Sequence, residues 1–195
     1  MEALDPARHV AALHDAFRLD TVGTDWTYLP YGPFADAVSF RSWLDSVAVG
    51  DDPLFYTILD DRDQALGVAS YLRIFPEIGS IEVGHIHYSP TLQRSRAATE
   101  AMYLMMRRAF DELGYRRYEW KCDSLNAPSR RAADRLGFVY EGTFRQATLY
   151  KGRNRDTAWY SIIDKEWPAV RGAFEKWLDP GNFDESGAQR TRLRG

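Results

Sequence analysis

Between Ser80 and Cys122 the period of the chain changes twice. "SIEVGHIHYS" (80–89) alternates like a strand, with Ile81, Val83, His85 and His87 on one face and Glu82, Gly84, Ile86 and Tyr88 on the other. From Leu92 to Leu113 the spacing becomes helical, placing Ala98, Met102, Met105, Ala109 and Phe110 on one stripe. "YRRYEWKC" (115–122) then alternates again, with Tyr118, Trp120 and Cys122 on one side and Arg117, Glu119 and Lys121 on a wet side. Pro90 closes the first segment and Gly114 the second, so two strands and a long helix must share one core.

The flanking sequence fits that α/β frame. A helix is expected over His9–Phe17, an aromatic loop over "DWTYLPYGPF" (25–34), and a short helix near Val38–Ser46. Segments 54–61 and 65–75 read as a hairpin. "NAPSRRAADRLGF" (126–138) reads as a helix capped by Asn126, with Pro128 in its first turn and Gly137 past its end. Strands near 139–150 and 156–163 form a last hairpin turned by "KGRNRD", and "AVRGAFEKWL" (169–178) is helical. No repeat and no second core is visible. The expectation is one domain over 1–180 with a loose polar tail over 181–195.

A formal net charge of -3 and a pI near 5.8 argue against a general nucleic-acid or anionic-membrane binder, so any anion site has to be local. Cys122, the single cysteine, has no internal disulfide partner, and no Cys/His spacing suggests a metal site. A reducing cytoplasm is the expected compartment. The amino-terminal stretch carries no apolar run of the secretory kind, and no later segment has transmembrane character.

"QRSRAATEA" (93–101) poses the functional question. It sits between a strand and a helix, where the first helical N–H groups have no internal acceptor and the helix dipole favours an anion. Main-chain amides of Arg94 to Thr99 suit a diphosphate, and Ser95, Ala97 and Ala98 are small enough to let one approach. Read on its own, the same stretch is better explained as an ordinary polar helix start with solvated arginines and Glu100 in an early turn.

The order of signals widens the context: a strand with Glu82, the Gln93 helix start, a strand to Cys122, "NAPSRRAADRLGF", "EGTFRQ" and "KGRNRDTAWYSI". This set resembles the GNAT superfamily of acetyltransferases, most closely the Rim-type branch that acetylates the N-termini of ribosomal proteins. The resemblance covers roughly residues 20–167. It implies a GNAT fold: a mixed, mostly antiparallel central sheet with flanking helices, in which strands 80–89 and 115–122 are parallel and splay apart. Acetyl-CoA is the implied cosubstrate, its pyrophosphate held by Gln93, Arg94, Ser95, Arg96, Ala97, Ala98 and Thr99. Here Arg96 stands where the family's Q/R-x-x-G-x-G/A pattern has its first glycine. Asn126 at the mouth of the gap and Ser129 near the cofactor sulfur are implied site residues. A main-chain N–H between Ile86 and Tyr88, at a bulge the family carries there, is the implied oxyanion donor.

The chemistry requires a neutral amine, an aligned carbonyl, oxyanion stabilisation and a proton for the leaving thiolate, with no metal. Glu82 ranks first as general base and His85 second, while Ser129 is the candidate donor to the sulfur. Strict alternation keeps the histidines away from Glu82 unless a bulge intervenes. His87 reads as a surface or packed histidine, and Glu141 as structural. The bland readings stand beside these: Glu82 as a partner of a neighbouring polar side chain, Asn126 as a cap, Ser129 as a first-turn serine, Cys122 as a core residue, and Trp26, Tyr28 and Tyr31 as a roof rather than a ligand wall. The acceptor is expected to be a primary amine: a protein N-terminus, an amino acid or a small amine. The alternative is a non-catalytic acyl-CoA sensor. A homodimer through the late hairpin or the last helix is compatible with the apolar spacing of Val170, Phe174 and Trp177.

Overall fold

The computed structural model describes residues 1–193. Strand β1 (Glu2–Ala3) leads into α1 (Pro6–Phe17), whose first turn is capped by the Asp5 carboxylate accepting from the Ala7 amide at 2.9 Å. Helix α2 (Ala37–Val47) starts with a reciprocal box in which Asp36 and Ser39 satisfy each other's backbone. The antiparallel strands β2 (Leu54–Leu59), β3 (Ala65–Phe75) and β4 (Ser80–Tyr88) follow, then α3 (Arg96–Arg107), β5 (Arg117–Asp123), α4 (Ala127–Leu136), β6 (Val139–Tyr150), β7 (Arg153–Ile163) and α5 (Trp167–Leu178).

The seven strands form one sheet in the order β1-β2-β3-β4-β5-β7-β6, and only β4 and β5 run parallel. This is the mixed, mostly antiparallel sheet expected from the sequence. Two apolar clusters cover its faces. Leu13 and Phe17 of α1 and Phe40 and Leu44 of α2 pack with Trp26, Phe55 and Val68 on the front. On the back, Met102, Met105 and Met106 of α3, Ala133 of α4 and Phe174 of α5 pack with Ile81, Val83, Tyr118 and Trp120. No described helix is long and apolar enough to cross a membrane.

Four expectations are corrected. The long helix begins at Arg96, not Leu92, because residues 89–95 form a tight loop, and its last turn widens to a π-turn over Arg108–Glu112. The last hairpin turns on Lys151 and Gly152 alone, both at positive φ (48° and 71°), so β7 starts at Arg153. The tail expected to be loose folds back as far as Leu193. Asn182 bonds the backbone of Trp177 and Thr191, Trp177 Nε1 donates to Gln189, and Leu193 is buried.

The fourth correction concerns β4. Its register with β3 pairs Ser70 with Gly84 but Val68 with His87, so β4 carries one extra residue, and His85 sits at φ 49°. This bulge resets the alternation. Ile86 and Tyr88 join Ile81 and Val83 against the back cluster, while His85 and His87 turn to the front with Glu82.

Candidate active site

Strands β4 and β5 are paired only from Ser80–Arg117 to Val83–Trp120. Beyond that point Gly84–Tyr88 of β4 and Lys121–Asp123 of β5 have no partner in each other. The opening has α3's amino end above it and α4's first turn beside it. Arg96 and Ala97 begin α3 with N–H groups that meet no acceptor among the described residues, while Ser95 Oγ accepts from the Ala98 amide at 3.0 Å. Gln93 Nε2 donates to Tyr88 O at 3.0 Å and to Asp25 Oδ2 at 2.7 Å, tying this loop to β4 and to the aromatic loop.

The arginine in the glycine position is accommodated simply. Arg96 is the first residue of the helix, so it needs none of glycine's freedom, and its side chain turns away from the opening. Its Nη2 donates to Leu178 O at 2.6 Å and the guanidinium lies 4.9 Å from the Phe183 ring centre. The left-handed residue of the loop is Arg94 (φ 60°).

Glu82 lies on the front of β4, 3% exposed. Its carboxylate is bracketed by Arg73 Nη1 at 2.8 Å and Lys121 Nζ at 2.8 Å, so the sequence-based alternative of a polar partner on a neighbouring strand is realised twice over. The pairing continues as a ladder: Lys121 to Glu119 at 2.7 Å, Glu119 to Arg117 at 2.6 Å, and Arg117 to Glu141 through both guanidinium nitrogens. Ser161 Oγ completes it by donating to Glu141 at 2.7 Å. Burial raises the Glu82 carboxyl above its ordinary range, against the pull of Lys121 and Arg73. Burial pushes Glu119 in the same direction, but hydrogen bonds from Lys121 and Arg117 hold it below. Glu82 leans along β4 toward the bulge, its Oε1 lying 3.7 Å from where a side chain at Gly84 would begin.

The bulge brings His85 beside Tyr31, with His85 Nδ1 and the Tyr31 hydroxyl 3.0 Å apart. Burial, with Arg73 and Arg155 adding to it, lowers the imidazole to about 4, so His85 is neutral at physiological pH. Burial also keeps the Tyr31 phenol protonated. His87 is packed rather than exposed, with its ring centre 3.7 Å from that of Trp26 and 4.2 Å from that of Phe17.

On the other side of the opening, Asn126 Oδ1 caps α4 by accepting from Ser129 N at 3.1 Å. Ser129 Oγ accepts from Trp120 Nε1 at 3.0 Å and lies beside the Cys122 thiol, toward which its hydroxyl can also donate. Cys122 is a buried thiol pushed up by its burial, and it belongs to the back core.

The aromatic loop divides its labour. Trp26, Tyr31 and Phe34 pack on the front core. Tyr28 OH reaches across to Leu125 O at 3.1 Å, and the hairpin tip closes from below, Lys151 Nζ to Trp26 O at 2.8 Å and Arg153 to Thr27 O at 3.2 Å. The opening is therefore roofed by 25–34 and floored by charged groups.

Sequence reasoning missed the floor. Lys121 was read as facing water, yet its side chain is 7% exposed and its ammonium stands 3.7 Å over the Trp159 ring. Arg73 and Trp159 carried no local signal, since both enter through strand pairing.

The family model of the acetyltransferase (GNAT) domain matches residues 3–139. The crystal structure of a GCN5-related N-acetyltransferase from Brucella melitensis superposes with a TM-score of 0.96 at 46% identity, over 98% of this chain and 87% of that one. An acetyltransferase structure of the GNAT family from Chromobacterium violaceum ATCC 12472 follows at 0.80 and 48%, over 85% of this chain and 83% of that one. Among relatives by sequence, the Bacillus subtilis (strain 168) N-acetyltransferase YnaD is 26% identical over 140 residues, 72% of this chain and 81% of its own.

Proposed function

The chain belongs to the acetyltransferase (GNAT) family, and on that footing we propose that it moves the acetyl group of acetyl-CoA to a primary amine by direct attack, without a covalent enzyme intermediate. The observation that carries this reading is the parting of β4 from β5 after Val83, directly below a helix start with unpartnered amides. An acyl-CoA supplies an activated acetyl thioester. The residues present fit such a group. The amides of Arg94 to Thr99, with Gln93 fixing the loop, suit its diphosphate. The open edge of β4, from Gly84 through Ile86 to Tyr88, offers a strand-like pantetheine arm backbone partners, with Asn126 at the mouth.

In this assignment Glu82 takes the amine proton, directly or through one water, and burial raises its carboxyl in the direction a general base needs. His85 is the second candidate, with a weaker claim because an imidazole lowered to about 4 is a poor base. An amide at the bulge, between Ile86 and Tyr88, stabilises the oxyanion, a contribution of about 2.7–4 kcal/mol where such donors are well aimed. Ser129 donates toward the leaving sulfur while Trp120 holds its oxygen. The order of motifs from Glu82 to Trp159 supports placement in the Rim-type branch, and one domain running through 180. Fold and branch leave the acceptor open.

Titration calorimetry with acetyl-CoA, with ATP as control, followed by thiol release on adding primary amines, tests this reading. Binding of acetyl-CoA but not ATP, with amine-dependent thiol release, is expected. Absence of acetyl-CoA binding would overturn it. Arg96→Ala separates main-chain from side-chain recognition. It is expected to change acetyl-CoA affinity by less than about threefold and to lower stability by about 1 kcal/mol, through loss of the Leu178 and Phe183 contacts.

A further inference from the structure

The front of β7 carries a cation with nothing to hold. Arg155, Thr157 and Trp159 alternate along β7 on the face that also presents Asp123 and Lys121, since Thr157 is opposite Asp123 and Trp159 opposite Lys121. The other cations of the sheet floor and the hairpin tip are engaged. Lys121 has Glu82 and Glu119, Arg73 has Glu82, Arg117 has Glu119 and Glu141, and Lys151 and Arg153 hold carbonyls of the aromatic loop. Arg155 is the exception. Its Nε is buried without an acceptor, and no carboxylate lies within ion-pair distance of its guanidinium among the described residues.

Its position is defined by the strand pairing. The guanidinium lies 5.9 Å from the Tyr150 ring centre, and the Tyr150 hydroxyl donates to Asp123 Oδ2 at 2.8 Å, placing Arg155 at the β5 side of the opening. Its charge reaches His85 on the far side and Cys122 on the near side. A half-buried guanidinium without a partner is costly, and its planar fork is the natural complement of a carboxylate.

Resting on the reading of this opening as an amine-acetylation site, we propose that Arg155 binds a carboxylate of the acceptor, so that the substrate is a small amine of the amino-acid class.

Initial rates of thiol release with aliphatic and aromatic α-amino acids, and with the corresponding α-carboxamides, test the proposal in the full chain and its Arg155→Gln and Arg155→Lys variants. The wild type is expected to show a KM at least about tenfold lower for the acid than for the amide, from one buried charge pair. The carboxamide has the less basic amine and is deprotonated to a greater extent at neutral pH, so intrinsic reactivity runs against this preference. Arg155→Gln should abolish the difference and Arg155→Lys restore part of it, with the KM for acetyl-CoA unchanged. Equal use of acid and amide by the wild type would overturn the proposal, as would better use of uncharged peptide N-termini or a tenfold rise in the KM for acetyl-CoA in Arg155→Gln. Titration of the N-acetylated acid and its carboxamide, in the presence of CoA, reads the same contact without turnover. An Arg155-dependent preference there, with no amine acetylated, leaves the carboxylate site standing and removes the amine-acetylation reading instead.

Discussion

Glu82→Gln is expected to lower kcat/KM by at least about 10²-fold, the lower end of what a positioned general base contributes. The pH profile separates this loss from a structural one. Glu82 must be ionised to accept a proton, and burial holds its carboxyl above the ordinary value, so wild-type kcat/KM rises with pH through that raised value, beneath the limb set by the amine itself. In Glu82→Gln the lower limb should vanish. A limb near pH 4 that survives in Glu82→Gln and disappears in His85→Gln would transfer the role to His85, whose imidazole is lowered to about 4. The substitution also leaves an amide beside Lys121. Because Lys121 keeps Glu119 and Arg73 is half exposed, the stability loss should fall below the roughly 3–5 kcal/mol typical of breaking a buried pair, and thermal unfolding measures it.

Acidification is expected to destabilise the protein steeply between pH 7 and pH 5. Burial lowers His85 to about 4 and His87 to about 3, both below the ordinary value of 6.5. The unfolded chain therefore binds protons first. The stability held by these two neutral rings is complete above pH 6.5 and is lost as pH falls through the folded values. At 1.36 kcal/mol per unit, each ring forfeits about 2 kcal/mol by pH 5, together a large part of the usual 5–15 kcal/mol. Glu82, raised in the fold, pulls the other way. His87→Phe keeps an aromatic ring against Trp26 and Phe17 and should remove about half of the loss in denaturant titrations at the two pH values. An unchanged pH slope in that variant would refute the assignment.

The frame of the molecule was legible because it rests on local signals: hydrophobic period, the Asn126 cap, and the glycine after α4. The order of motifs around Gln93 led to the proposed cofactor loop. What stayed hidden depends on a single residue or on strand pairing. The β4 bulge occupies a histidine at positive φ rather than a glycine, so "EVGHIHY" itself carries no sign of it; the bulge was expected only from the resemblance, and strict alternation placed His85 opposite Glu82. The charge ladder joins residues from β3, β4, β5 and β6; Glu82 and Glu141 stood out in the sequence, but Arg117, Glu119 and Lys121 look like ordinary exposed charges within their own segment, and Arg73 carries no signal there. Arg155 was similarly invisible, since a missing partner can be recognised only after all the others have found theirs.

The anchoring of Arg96 also bears on how the protein is made. A ribosome releases residues 93–99 first, whereas the carbonyl that receives Arg96 lies 82 positions later, at Leu178. Strand β7, which enters the sheet between β5 and β6 and brings Trp159 over Lys121, also arrives late. A nascent chain can assemble β1 to β4 with α1 and α2 early, but the Arg96 anchor and the floor of the opening are completed only once residues as far as Leu178 have emerged. The Arg96–Leu178 anchor and the Trp159–Lys121 contact therefore form after β1 to β4, and a chain lacking residues 153–178 would keep the front cluster without either of them.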